Sequence, residues 1–206
     1  MRLKLLAAPI LAVSFILSAL SAHSQTIAPY QAKGFPIVVG VGPSSFDPDW
    51  GNGRMWGGAA WADWYPRSLR PGLQGLGIEV EVRDISLDKH LQPGNADPQR
   101  SGQANTKEDT AGGGIIYNWR HFRRVQPYAK FIVSEGSVDF ISSSLTYSHD
   151  TRMVMAPGGG LEYRMFGPLW ARVDYEYQDW GTLLHETLTP SGFTFGVSYD
   201  FSPRVP

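Results

Sequence analysis

The chain has 206 residues, with 18 Lys plus Arg against 19 Asp plus Glu and no cysteine. A net charge of −1 gives no reason to expect a nucleic-acid partner, and the lack of thiols excludes disulfides, thiolate metal sites and thiol catalysis. Gly (23), Tyr (9) and Trp (7) are abundant, which favours strands and turns over helices.

The first element is Met1-Arg2-Leu3-Lys4 followed by an apolar run from Leu5 to Ala22. A basic start, an apolar stretch and the small-x-small site Ala22-His23-Ser24 together predict a signal peptide over 1–24, removed on export. The alternative, an N-terminal membrane anchor, is disfavoured by the small residues that close the run and by the lack of a basic flank after it. Residues 25–206 then form one domain of roughly 180 residues, enough for a full core or one closed barrel. No later apolar run is long enough for a spanning helix.

After residue 25 period two recurs and helical period is hard to find. In "GIEVEVRD", Ile78, Val80 and Val82 oppose Glu79, Glu81 and Arg83. In "ARVDYEYQDW", Ala171, Val173, Tyr175 and Tyr177 oppose Arg172, Asp174, Glu176 and Gln178. In "FTFGVSYDF", Phe193, Phe195, Val197, Tyr199 and Phe201 oppose Thr194, Gly196, Ser198 and Asp200. Alternation of this kind predicts half-buried strands. Extended along the chain it gives eight segments: 35–46, 54–65, 75–87, 110–120, 127–140, 153–166, 169–180 and 191–201. Most hold roughly 9 to 13 residues, the length of a tilted strand crossing a bilayer.

The connections alternate too. Those after the second, fourth and sixth segments carry Pro66 and Pro71, Pro127, and Gly167-Pro168, and read as turns. Those after the third, fifth and seventh are longer and polar, the longest covering 88–109. Turns at one end and loops at the other are the layout of an up-and-down barrel. Aromatic residues sort into two predicted belts. Trp64, Tyr65, Tyr117, Trp119, Tyr128, Tyr163, Phe166, Trp170, Tyr199 and Phe201 fall at the turn end, and Phe46, Trp50, Trp56, Phe140, Tyr177, Trp180 and Phe193 at the loop end.

Alternation does not say which face is inside. A soluble lipocalin-like barrel turns its apolar residues inward, whereas a membrane barrel turns its charges inward, where they must pair. The inward set of the membrane reading is Asp63, Glu79, Glu81, Arg83, Lys130, Glu162, Arg164, Arg172, Asp174 and Glu176, with signs mixed as an ion-pair network requires. Aromatic residues at strand ends and the export signal favour the membrane.

"APGGGLEYR", "RVDYEYQDW" and "LTPSGFTFGVSYDF" resemble the OmpA-type and opacity-type outer-membrane β-barrel proteins of Gram-negative bacteria, over most of the chain from Gly34 to Phe201. The resemblance implies an all-β fold, an eight-stranded antiparallel up-and-down transmembrane β-barrel, located in the outer membrane after signal-peptide removal. It also implies a last strand, Phe193, Phe195, Val197, Tyr199 and Phe201, that is read by the machinery inserting such barrels. Ser202 to Pro206, which follow the terminal aromatic, depart from that pattern. The expected partners are outer-membrane lipids and the assembly machinery, and the loops are candidates for an extracellular partner. The expected role is structural or surface-interacting, not a wide pore, since eight strands enclose only enough room for side chains.

Other chemistry finds little support. In "YSHDTR", Ser148, His149 and Asp150 are adjacent, and adjacent strand residues point to opposite faces, so they do not make a triad. "LHET" offers His185 and Glu186 without a nucleophile beside them. A lipid-modifying enzyme is therefore the weaker alternative, and no catalytic residue, cofactor or metal is expected. "DPDWGNG" (Asp47, Asp49, Asn52) lacks the later bidentate Glu of a calcium loop. "RHFRR" (Arg120, His121, Arg123, Arg124) is a basic turn. Glycines gather at Gly57-Gly58, Gly112–Gly114, Gly158–Gly160 and Gly192 with Gly196, all on alternate segments. Barrel geometry explains that recurrence, with inward glycines leaving space for long Arg and Glu chains.

Overall fold

Period two in the sequence becomes a closed cylinder. In the computed structural model, β1 (Ile37–Asp47), β2 (Met55–Trp64), β3 (Leu76–Leu87), β4 (Asn105–Asn118), β5 (Val125–Ile141), β6 (Ser148–Phe166) and β7 (Leu169–Tyr177) pair with their chain neighbours. Two short strands, β8 (Thr182–Leu183) and β9 (Glu186–Thr187), form a separate hairpin. The last strand, β10 (Ser191–Asp200), pairs with β7 and with β1, which closes the barrel. All pairings are antiparallel, so the barrel has eight strands in up-and-down order. The structure describes residues 36–48, 53–66, 69–87, 105–120, 124–141, 148–183 and 186–202. The expected signal peptide, 1–24, Asp49, Trp50, Asn52, His121, Arg123, His185 and the end of the tail, 203–206, lie outside the described residues.

The registers show why each strand sits where it does. Along β3 every second residue is buried, from Gly77 through Glu79, Glu81, Arg83 and Ile85 to Leu87, while Ile78, Val80 and Val82 are exposed. The same inversion holds around the cylinder. Val39, Val41, Ile115, Phe131, Val133, Leu161, Val173, Phe195 and Val197 are among the exposed apolar residues, and the charged residues are inside. A water-soluble barrel would hide those apolar side chains, so the lipocalin-like alternative has the faces reversed. Hydrocarbon around the wall removes the penalty, and the closed ladder leaves no strand edge unpaired in it.

Two turns need particular residues. The β6–β7 turn joins Phe166 to Leu169, and Gly167 adopts φ 53°, a left-handed conformation that glycine tolerates. The β2–β3 turn is longer and contains a 3-10 turn at Pro71–Leu73, with Tyr117 Oη donating to Gly72 O at 3.1 Å.

Three strands are longer than alternation predicted. β4 starts at Asn105 rather than residue 110, and β6 at Ser148 rather than 153. β5 reaches from Val125 to Ile141. The added loop-end portions of β4 and β6 are polar on both faces, for example Lys107 paired with Asp84 and Asp109, so hydropathy gives no signal there. Part of the predicted 88–109 loop is therefore strand. The seventh segment ends earlier, at Tyr177, with Asp179 held to Met155 by an isolated bridge.

The aromatic belts also need correction. Trp64, Trp119, Tyr163, Phe166, Tyr199 and Phe201 do face outward at the turn end, as do Trp56, Tyr177 and Phe193 towards the loop end. Tyr65, Tyr128, Trp170, Phe46 and Trp180, however, are buried inside the barrel. Phe140 lies on β5, but its side chain is outside the described set.

Candidate functional site

The barrel interior is stacked in three layers. At the loop end, Phe46, Met55, Ile85 and Leu87 form one buried apolar cluster and Val138, Val154, Trp180 and Leu188 another. At the turn end, Tyr65, Ile116 and Tyr128 pack together with Val38 against them. Between these lies the charged layer.

Its centre is Lys130 on β5. Its Nζ is 2.6 Å from Glu81, 3.0 Å from Glu176 and 3.2 Å from Glu79, and it is also paired with Asp174. Glu81, Asp174 and Glu176 have carboxylate oxygens close enough together to hold a metal ion. The Lys130 ammonium stands among them and does that work. Arg83 reaches across the lumen to Glu176 and back to Glu81, with its guanidinium carbon 4.3 Å over the Phe46 ring. Arg172 binds Glu79 at 2.7 Å and Asp63 at 3.3 Å, and lies over the rings of Trp61 and Tyr128.

These pairs join strands distant in sequence, because a strand's inward residues meet across the lumen. Desolvation of each charge is offset only if several partners surround it, and here every cation has at least two carboxylates. The arrangement can tie the wall together and fill the lumen.

Of the ten residues expected to face inward, nine are buried: Asp63, Glu79, Glu81, Arg83, Lys130, Glu162, Arg172, Asp174 and Glu176. Eight of them share the ion-pair network. Glu162 stands apart, accepting from Asn118 Nδ2 at 2.7 Å. Arg164 is half-buried at the turn end of β6, opposite Trp170, and takes no part in the network. Phe193, Phe195, Val197, Tyr199 and Phe201 project from the outer wall of the last strand, and Phe201 N donates to Ile37 O at 2.9 Å.

Sequence reasoning missed several members of the interior. Tyr128 Oη donates to Asp174 at 2.8 Å and accepts from Arg172 Nε at 2.8 Å, so it bridges a cation and an anion. Gln178 Nε2 donates to Glu176 at 3.1 Å, and its Oε1 accepts from Trp180 Nε1 at 2.9 Å. Glu108 is buried as well. Position parity was the available signal: Tyr128 is two residues from Lys130, and Gln178 two from Glu176. We predict that Tyr128→Phe lowers stability by about 1–3 kcal/mol, because Arg172 and Asp174 each lose a buried partner. Urea unfolding in lipid vesicles measures it, and an unchanged midpoint would show the bridge to be dispensable.

Glycines make the crowding tolerable. A Cβ on Gly40 or Gly196 would lie 2.3 or 2.4 Å from the Trp61 ring, and one on Gly158 would lie 3.1 Å from Lys130 Cε. Space is kept for rings as much as for the long charged chains.

The remaining candidates are scattered. Asp150 is paired with Arg152 at 3.1 Å, while Ser148 and His149 sit on β6 with side chains outside the described set. Arg120 lies over the Tyr65 ring, and Arg124 is exposed.

Comparison with known proteins gives a consistent result. The sequence matches the family described as outer membrane protein beta-barrel domain over residues 12–201. Neisserial surface protein A is similar in structure, with 13% identity and a TM-score of 0.57, covering 80% of this chain and 96% of that one. OprG from Pseudomonas aeruginosa has 12% identity and a TM-score of 0.56, covering 83% and 98%. Ail, the attachment invasion locus protein of Yersinia pestis, has 15% identity and a TM-score of 0.52, covering 82% and 99%. At such identities the likeness is one of fold. No curated protein sequence matches significantly. The charge-filled lumen, the apolar wall and the family match over nearly the whole chain agree: the chain belongs to the outer membrane protein β-barrel family and is an integral barrel of the bacterial outer membrane.

Proposed function

We propose that the protein serves the outer membrane as a structural or surface-interacting barrel without catalytic activity. The carrying observation is the occupied interior: two apolar clusters, a charged layer and a largely aromatic layer take up most of the lumen. Such a barrel keeps the wall rigid and leaves interaction to its ends. In the orientation common to these barrels, short turns face the periplasm and longer loops face outward. The long β4–β6 strands then lift the loops clear of the lipid, which favours contact with a partner outside the cell. Asp150 is engaged by Arg152 on its own face, which gives a catalytic reading of "YSHDTR" no support.

The test is fractionation. The protein should remain in the outer-membrane fraction through carbonate and salt washes and migrate faster in gels unheated than boiled. Release by carbonate without detergent would contradict the reading.

The last strand is proposed as the recognition element for the assembly machinery, through Phe193, Phe195, Val197, Tyr199 and Phe201. Tyr199 and Phe201 have ring centroids 4.7 Å apart and form one aromatic terminus. Phe201→Ala should leave more unfolded precursor in the periplasm at early times in a pulse-chase experiment. Assembly at the parental rate would remove Phe201 from that role.

A further inference from the structure

Glu162 stands outside the ion pairs of the charged layer, and it borders a cavity. Near the turn end a cavity of about 90 Å³ is lined by Tyr65, Asn118, Glu162, Trp170, Arg120 and Asp200, among others. Asn118, Tyr65 and Glu162 are 2%, 4% and 6% exposed. Asn118 Nδ2 donates to Glu162 Oε2, and this fixes the amide so that its oxygen points away from the carboxylate. Asn118 Oδ1, Glu162 Oε1, Tyr65 Oη and Trp170 Nε1 then have no hydrogen-bond partner in the protein. Buried polar atoms seldom stay unpaired, and three of these four are oxygens.

We propose that this cavity binds a small cation, a metal ion or a primary ammonium, through Glu162, Asn118 and Tyr65. The surrounding charge favours it. Among the described residues, Asp63, Glu79, Glu81, Glu108, Glu162, Asp174 and Glu176 are buried, against only Arg83, Lys130 and Arg172. Asp63 Oδ1, two residues before Tyr65, is also without a partner. Glu162 lies on the turn side of the charged layer, and among the described residues no cation forms an ion pair with it. Arg120, at the mouth, lays its guanidinium 4.1 Å over the Tyr65 ring instead of on the carboxylate. It competes with an incoming cation for the same field. The volume excludes large organic cations and accommodates a partly hydrated ion or a methylammonium-sized group.

The Trp170 indole N–H borders the cavity and reports on it. In the full barrel refolded in detergent micelles, its proton–nitrogen resonance should shift saturably with calcium chloride, methylammonium chloride or both. Choline chloride at equal ionic strength should not move it. A response to calcium alone identifies a metal site, and one to methylammonium alone an ammonium site. E162Q should weaken binding about tenfold or more, as expected for loss of a charged ligand. R120A should saturate at lower concentration. Heat-modifiable mobility verifies that each variant is folded, and N118L replaces E162Q if the latter is not. D109N, on the outer wall, should titrate like the parent. No shift with either salt, an equal shift with choline, or an undiminished response in E162Q would overturn the proposal.

Discussion

Lys130→Met will lower the stability of the folded barrel by about 3–5 kcal/mol, the usual cost of removing one partner from a buried ion pair. Lys130 is fully buried and its ammonium touches four carboxylates on two strands, β3 and β7. Met fills nearly the same volume, so packing is largely retained and the lost charge is what the measurement reads. Glu79, Glu81, Asp174 and Glu176 then share only Arg83 and Arg172. Urea unfolding of the protein refolded into phosphatidylcholine vesicles gives the midpoint shift. Converting Glu81 to Gln in the same background should recover part of the loss, because one repelling carboxylate is gone. A loss below about 1 kcal/mol in K130M would mean that the ammonium is not the hub of the charged layer.

The same substitution at two glycines should have opposite outcomes. At Gly160 a Cβ would lie 1.9 Å from the Val173 carbonyl oxygen and 2.9 Å from Tyr128 Oη. The first neighbour is backbone of the adjoining strand, and it cannot yield without opening the β6–β7 ladder. Gly160→Ala should therefore cost about 1–3 kcal/mol or more, and at the upper end it blocks refolding. At Gly58 the nearest atom to a Cβ is Gly42 O at 3.6 Å, an ordinary contact on the lipid side. Gly58→Ala should change stability by no more than about 0.5 kcal/mol. Equal effects at the two positions would show that the glycines are not spaced by steric demand.

The reach of sequence reasoning follows from where the two faces of a strand differ. In β3, Ile78, Val80 and Val82 meet lipid while Glu79, Glu81 and Arg83 meet the lumen, so alternation is complete and legible. In the loop-end half of β4, Lys107 and Asp109 are polar outside and Glu108 is polar inside, so period two vanishes although the ladder continues. The site was legible where charge marked it. Tyr65, Tyr128 and Trp170 were misplaced because an aromatic at a strand end reads as a membrane belt. Tyr65 and Tyr128 lie inside under Arg120 and Arg172, a stacking that composition does not reveal. Parity did carry that information: Tyr65 follows Asp63 by two, and Trp170 precedes Arg172 by two. The three glycines of "APGGGLEYR" were readable as barrel strand, but their neighbours were not. Gly158 and Gly160 both border the backbone of β7, with Lys130 beside the first and Tyr128 beside the second.

The central claim is that charge lies inside this barrel and the apolar face meets hydrocarbon. With no native cysteine, a single nitroxide label can be placed at Val80→Cys, mid-strand between Ile78 and Val82 on the outer wall. In lipid vesicles its paramagnetic relaxation should be enhanced far more by oxygen, which partitions into hydrocarbon, than by a water-soluble nickel chelate. Relaxation dominated by the nickel chelate would place Val80 in water and contradict the membrane barrel.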